Sequence, residues 1–289
     1  MTNLTNNKNI RVVALCCKGR FQSYLLHRLN EEFELVGVVF KESEQGNQKL
    51  SRFIKYFNPV TLCRYLLSRL QLPKYERETE LRLARYYPNF ISRQAVPEGL
   101  SFISVENIND SQVSEFIRRS EPDIVCVNGT NLIREPLLSE VSCLRYGAVN
   151  LHTGLSPYSR GGNCNLHMLL EQQPQYVGAT IHFIDSGIDS GNIIKTLRPE
   201  LQVDDPYEYI EAKVFIDGIE ALIKSVDSIA KGENSNVSQW QEGKLFLMRT
   251  GYHYSPYLRL LANKKIEQGL IKDYLANQNS IDGGLRLVE

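Results

Sequence analysis

The chain predicts an α/β protein built on a Rossmann-like, doubly wound and mostly parallel sheet, and three observations carry that expectation. Residues 11–17 (RVVALCC) and 33–40 are compact apolar runs separated by a helical pattern over 21–32, so strand, helix and strand follow one another as in an opening βαβ unit. Residues 123–127 (DIVCV) are continuously apolar, as a strand buried on both faces requires. Polar residues then gather just beyond strand-like runs, where sheets of this kind place their ligands.

In order along the chain, the first ten residues contain no apolar signal core, and no run approaches membrane-spanning length, so a cytoplasmic protein is expected. The helix over 21–32 carries Tyr24, Leu25, Leu26 and Leu29 on one side. Its preceding turn has only Gly19, not a dinucleotide fingerprint, and no NAD or FAD is read from it. His27 lies within this helix with nothing nearby to complete a site, and is read as a packing residue.

Residues 47–93 are expected to form a helical insert. Between Asn47 and Tyr75 six basic residues (Lys49, Arg52, Lys55, Arg64, Arg69, Lys74) occur without an acidic one, interleaved with Phe53, Tyr56, Phe57, Leu62, Tyr65, Leu66, Leu67 and Leu70. A solvated amphipathic excursion packed on the sheet is the plain reading. The alternative is that its cations serve a phosphate-bearing acceptor or a membrane surface.

A short strand over 100–105 and a helix over 110–119, capped by Asn109 or Asp110, lead into 123–127. That strand opens into Asn128-Gly129-Thr130-Asn131-Leu132-Ile133, for which a plain strand-to-helix turn is the simplest reading. Asn150 and His152 sit two apart at the end of the next apolar run, so on a strand both leave the same face. Gly154, Pro157, Gly161 and Gly162 throw a loop outward, and Asn163 is placed to cap a helix over 164–173. A second strand over 176–184 then ends in the turn Asp185-Ser186-Gly187-Ile188-Asp189-Ser190-Gly191. Two strand ends thereby deliver an amide, an imidazole and two carboxylates. His167 is read as structural.

These motifs, Asn-x-His, a Leu-x-Pro loop with Arg-Gly-Gly, and a Gly-x-Thr-x-His strand running into Asp-x-Gly-x-Asp-x-Gly, resemble the formyltransferase family that uses 10-formyltetrahydrofolate. The resemblance covers residues 123–194. One departure stands out: the family's His-Pro-Ser-Leu-Leu-Pro is here His152-Thr153-Gly154-Leu155-Ser156-Pro157. The resemblance implies the formyltransferase fold, with catalytic Asn150, His152 and Asp189. It implies a folate site formed by Gly129, Asn131, Leu132, Ile133, His182, Asp185, Gly187 and Ile188, with main-chain groups bonding the pteridine and His182 behind the catalytic residues. Formyl transfer to an amine needs a donor for the oxygen on which charge develops and an acceptor for the amine's proton. Asn150 and His152 are expected as donors. Asp189 is expected to favour the charged imidazole and to receive the proton, with no metal required.

Beyond 194 the chain continues with a strand-like stretch over 196–203, a long helix over 206–230 stopped at Lys231-Gly232, a strand-like run over 244–248 and a helical pattern over 261–275. The expected organisation is a catalytic domain over 10–200, a helix packed on it over 201–232, and a C-terminal extension over 233–289 that is not the barrel of tRNA formyltransferases. His253, between two tyrosines, is read as packing. The formal net charge is zero and the six cysteines show no Cys-x-x-Cys spacing, so neither a global nucleic-acid field, a zinc site nor a disulfide frame is expected.

The favoured acceptor is a small amine, a nucleotide-linked amino sugar used for surface polysaccharide such as lipopolysaccharide. DNA is not expected, tRNA is disfavoured and a homodimer is left open. The competing readings are a formyltetrahydrofolate hydrolase, a methionyl-tRNA formyltransferase and a catalytically silent folate-binding protein.

Overall fold

The computed structural model describes residues 7–42, 58–247, 251–252 and 254–289. His253 and the cations Lys49, Arg52 and Lys55, with Phe53, Tyr56 and Phe57, lie outside the described residues. In chain order the elements are β1 (Asn7–Cys17), α1 (Arg20–Glu32), β2 (Phe33–Lys41), α2 (Pro59–Tyr86), α3 (Pro88–Ile91), β3 (Phe102–Val105), α4 (Ser111–Ser120), β4 (Ile124–Asn128), α5 (Leu137–Ser142) and β5 (Ala148–His152). They continue with β6 (Ser159–Gly161), α6 (Cys164–Leu170), β7 (Ala179–Phe183), β8 (Ile193–Leu197), α7 (Tyr207–Lys231), β9 (Lys244–Phe246), α8 (Pro256–Glu267), α9 (Leu270–Ala276) and α10 (Gln278–Ile281).

The main sheet runs β3-β2-β1-β4-β5-β7-β8. Its first five strands are parallel, and β7 and β8 join antiparallel. Because successive strand side chains alternate faces, β1 and β4 split their apolar residues between two cores. Val12, Ala14, Cys16, Ile124 and Cys126 face α1 and α7, whereas Val13, Leu15, Val125 and Val127 face α4 and α5. Each fully buried Leu or Ile contributes about 1.5–3 kcal/mol to holding these layers together. The doubly wound, mostly parallel sheet expected from the sequence is therefore present, and its order reverses between β1 and β4, where a crevice opens at the strand ends.

Several local expectations need correction. The strand over 176–184 begins only at Ala179, because Pro174–Tyr176 forms a 3₁₀ turn. The stretch 196–203 is not a strand of its own: only Thr196 and Leu197 are in β8, and Pro199, which has no N–H to offer a ladder, follows. α6 ends at Leu170, and Asn163 occupies its N-cap position in a left-handed conformation (φ 55°) without a capping side-chain bond. Neither Asn109 nor Asp110 caps α4; Asn109 instead accepts from the Arg134 N–H (2.7 Å) and donates to the Leu132 carbonyl (2.9 Å), fixing the loop after β4. The helical pattern over 261–275 is two helices, α8 and α9, broken at Gly269 (φ 104°).

The insert also departs from expectation. α2 starts at Asn58, whose side chain accepts from the Val60 and Thr61 N–H groups. Its buried residues, Ser68, Leu72, Tyr75, Thr79 and Leu83, face mainly α8 and α7 rather than the sheet, with Leu72 and Tyr75 against Leu260. Arg82 of α2 reaches Asp205, which is fully buried and also paired with Lys213, and so ties the insert to the start of α7.

Candidate active site

The antiparallel register of β5 and β7 sets Asn150 opposite His182, and His152 opposite Thr180. Two-residue spacing then turns Asn150 and His152 to the same face, as expected from the sequence. The turn after β7 brings in the carboxylate. Asp185 accepts from Gly187 N–H (3.1 Å) and Ser190 Oγ (2.8 Å), and Gln239 Nε2 donates to the carbonyls of Asp189 (2.7 Å) and Gly191 (3.1 Å). Asp189 itself adopts φ 47°, a left-handed conformation that the surrounding bonds must hold. Gly191 packs so closely that a Cβ there would overlap the Phe183 carbonyl oxygen.

Asp189 consequently sits at the centre of the cluster. Its Oδ2 accepts from Gly161 N–H (2.9 Å) and lies 3.4 Å from His152 Nδ1; its Oδ1 accepts from Asn150 Nδ2 (3.3 Å) and lies 3.6 Å from His182 Nε2. His182 Nδ1 faces the Phe183 carbonyl at 2.7 Å, so it carries the proton and leaves Nε2 to accept from Asn150 Nδ2 at 3.1 Å. That chemistry also orients the Asn150 amide: both neighbours of its nitrogen are acceptors. An incoming oxygen must compete with His182 and Asp189 for these two N–H groups.

His152 is buried, and its Nε2 faces the Ser159 carbonyl at 3.2 Å with Cys164 Sγ at 3.6 Å. A carbonyl can only accept, so Nε2 is protonated and Nδ1 points its lone pair at Asp189 Oδ2. Burial is the largest influence on the imidazole and lowers its pKa, outweighing the attraction of Asp189. The expectation that Asp189 keeps His152 charged is thereby corrected. Burial alone would raise the Asp189 carboxyl, but the two imidazoles and the Gly161 N–H together hold it well below the usual carboxylate range. Near neutral pH the pair is thus an ionised carboxylate facing a neutral imidazole. Only the protonated ring would satisfy both of its nitrogens, so a single proton has a prepared place between Nδ1 and Oδ2.

These groups line a cavity of about 480 Å³ at the β1/β4 switch, together with Cys17, Gln22, Val127, Ile184 and Phe215. Gly129, Asn131, Leu132, Ile133, Asp185, Gly187 and Ile188 line it as well, so every site residue singled out in the sequence meets there. Their parts differ from expectation in three cases. The Asn131 side chain is spent on Ile108 N–H and Asn107 Oδ1, and the Asp185 carboxylate on its own turn, so these two offer main chain rather than free side chains. His182 touches Asn150 directly and belongs with the catalytic cluster rather than with the wall at 129–133. Among the described residues the main-chain N–H groups of Asn131, Leu132 and Ile133 make no hydrogen bond.

Ser159, Gly161, Cys164, Gln22 and Gln239 were missed. Arg-Gly-Gly drew attention to a loop, but nothing in it signalled that the Gly161 N–H would bond a carboxylate 28 residues later. Of the insert's cations, Arg64, Arg69 and Lys74 do not line the cavity. Among the described residues no group of three or more His, Cys, Asp or Glu is placed to hold a metal ion. A second cavity, about 510 Å³, lies among Gln172, Lys265, Asp273 and Tyr274; it has no histidine and no orphaned buried side-chain atom.

A carboxylate, two imidazoles and an amide at the ends of a doubly wound sheet define a site for acid–base group transfer. The sequence profile of the formyl transferase family matches residues 82–226, half of the chain, and the chain belongs to that family. It is 29% identical over 158 residues to the methionyl-tRNA formyltransferase of Chlorobium phaeovibrioides, covering 54% of this chain and 48% of the relative. The chain spans about half the length of the curated relatives it matches. Among solved structures, phosphoribosylglycinamide formyltransferase from Anaplasma phagocytophilum superimposes with a TM-score of 0.52 at 15% identity, over 82% of this chain and 97% of the other. A sugar N-formyltransferase from Shewanella sp FDAARGOS_354 does so with a TM-score of 0.52 at 13% identity, over 88% and 87%. At these identities the likeness shows the shared fold.

Proposed function

We infer that the chain is an N-formyltransferase that moves the formyl group of 10-formyltetrahydrofolate to the amine of a nucleotide-linked amino sugar. The observation that carries the reading is the lone-pair contact between His152 Nδ1 and Asp189 Oδ2, 3.4 Å apart and opening on the cavity. When bound, the folate supplies the acyl carbon. The cavity suits such a donor: Val127, Leu132, Ile133, Ile184 and Ile188 give apolar walls, and the N–H groups of 131–133 are available to the polar edge of a flat heterocycle.

Asn150 offers its amide hydrogens to the oxygen on which charge develops, in exchange for its contacts to His182 and Asp189. The Nδ1–Oδ2 pair accepts the proton released by the amine. Protonation there turns a contact between two lone pairs into a charge-assisted hydrogen bond while Ser159 keeps the other ring nitrogen. Ser159, Gly161 and Gln239 position these groups.

The sugar acceptor is supported by the extended likeness to a sugar N-formyltransferase, by the neutral chain, and by a C-terminal part that is largely helical among the described residues. A polyanionic tRNA would call for many cationic phosphate contacts and steep salt dependence. The test is incubation with 10-formyltetrahydrofolate and a competition between aminated sugar nucleotides and methionyl-tRNA, with products identified by mass. A formylated sugar nucleotide is expected. Formyl-methionyl-tRNA as the main product overturns the acceptor assignment, and formate without a formylated amine points to hydrolysis.

A further inference from the structure

The 28-residue helix α2 has two apolar faces, and the body of the protein uses one. Ser68, Leu72, Tyr75, Thr79 and Leu83 recur at three- and four-residue steps and are buried. Leu62, Leu66 and Leu70 recur at four-residue steps on the other side and are 41%, 50% and 79% exposed, with Val60 57% exposed near the same end. The buried stripe anchors the helix, so the outer leucines cannot turn inward without losing it.

The charges on this half of α2 are of one sign. From residue 58 to residue 75 it carries Arg64, Arg69 and Lys74 and no carboxylate. Lys74 is paired with Glu267 at 2.7 Å, Arg64 lies over the Tyr257 ring at 5.0 Å, and Arg69 is exposed and makes no ion pair among the described residues. The helix N-terminus adds a partial positive charge at the same end.

We propose that this face of α2 docks on an anionic lipid bilayer, with its leucines at the acyl boundary and its arginines among the headgroups. An apolar stripe beside cations is what an interfacial helix presents, and a lipid surface needs no complementary shape to receive it. A second copy of the chain fits less well. A two-fold contact would set the same cations against one another, and four apolar side chains on one helix fall far short of the roughly 20–30 residues per side of a standard interface. The docking does not depend on which amine is formylated.

The test is co-sedimentation of the full chain with vesicles of phosphatidylcholine alone or mixed with phosphatidylglycerol. Binding is expected to the phosphatidylglycerol vesicles only and to weaken with salt. It should drop at least ~10-fold in Leu66→Glu/Leu70→Glu and fall in Arg64→Gln/Arg69→Gln, with unchanged circular dichroism and unchanged turnover in solution. Wild-type protein that ignores phosphatidylglycerol, or a leucine variant that binds as well as wild type, overturns the proposal. A concentration-dependent dimer that the leucine variant abolishes, without vesicle binding, assigns the face to a second copy instead.

Discussion

At the ends of β5 and β7, Asn150, His152, His182 and Asp189 have nearly every polar atom turned toward another of the set or toward a main-chain group. On the outer side of α2, leucines stand in water while the same helix buries a second stripe. The first region is over-determined: register, a left-handed aspartate and a glutamine 50 residues away all fix one carboxylate. The second is fixed on one side only. Chemistry is therefore expected to be brittle at the strand ends and indifferent to change on the outer helix face.

The strongest way to break the contrast is at the imidazole. His152→Asn is expected to lower kcat by roughly 10²–10⁴-fold while thermal unfolding changes little, as stopped-time product assays at saturating substrates would show. Its pH profile sharpens the point. Because burial lowers the His152 pKa, the neutral acceptor form persists on acidification, and activity should hold through the usual histidine range near ~6.5 before falling. A profile that breaks at or above that value contradicts a neutral resting imidazole.

Next in size is Gly191→Val. The added side chain collides with the Phe183 carbonyl and displaces the turn that carries Asp189, so a loss of roughly 2–3 kcal/mol in urea unfolding is expected together with most of the activity. Normal stability with full turnover would mean the turn is more plastic than its packing indicates.

A smaller effect, with a distinctive pH signature, is expected at Glu211 on α7. Its Oε2 is sealed from solvent without a partner although the residue as a whole is half-buried, and burial raises its carboxyl from an ordinary 4.5 to about 7. The folded state thus holds this proton more tightly than the unfolded chain. The associated stability is complete below 4.5 and is lost as pH rises through about 7. Glu211→Gln should gain on the order of 1–3 kcal/mol at pH 8 and little at pH 4, measured by denaturant midpoints. An equal change at both pH values would rule out burial of the charge as the cause. Smallest is Lys74→Met: its exposed pair with Glu267 is worth about 0–1 kcal/mol, and formyl transfer should be unaffected.

The contrast also explains what could be read in the residues alone. Runs such as DIVCV and the helix over Tyr207–Lys231 were legible because burial imposes a period on the sequence, and Asn150 and His152 because two-residue spacing fixes their common face. Asp189 was legible through its motif, but not its left-handed backbone, since the bonds that hold it come from Gly161 and Gln239. The charge state of His152 escaped for a similar reason: it depends on how completely Ser159 and Cys164 enclose the ring. The insert was misplaced because nothing in its own pattern names the distant helix, at Leu260, on which it packs. Gly269 breaks a helical period that the flanking residues continue on both sides.

The central claim is that one carboxylate at the strand ends receives the amine's proton. It is tested most directly by steady-state formyl transfer to an aminated sugar nucleotide with Asp189→Asn against wild type, after circular dichroism and thermal unfolding confirm matched folding. Replacing the carboxylate with an amide keeps the size and removes the basic oxygen, so kcat is expected to fall by about 10²–10⁴-fold with KM for the acceptor little changed. A variant that turns over within a few-fold of wild type would contradict the account.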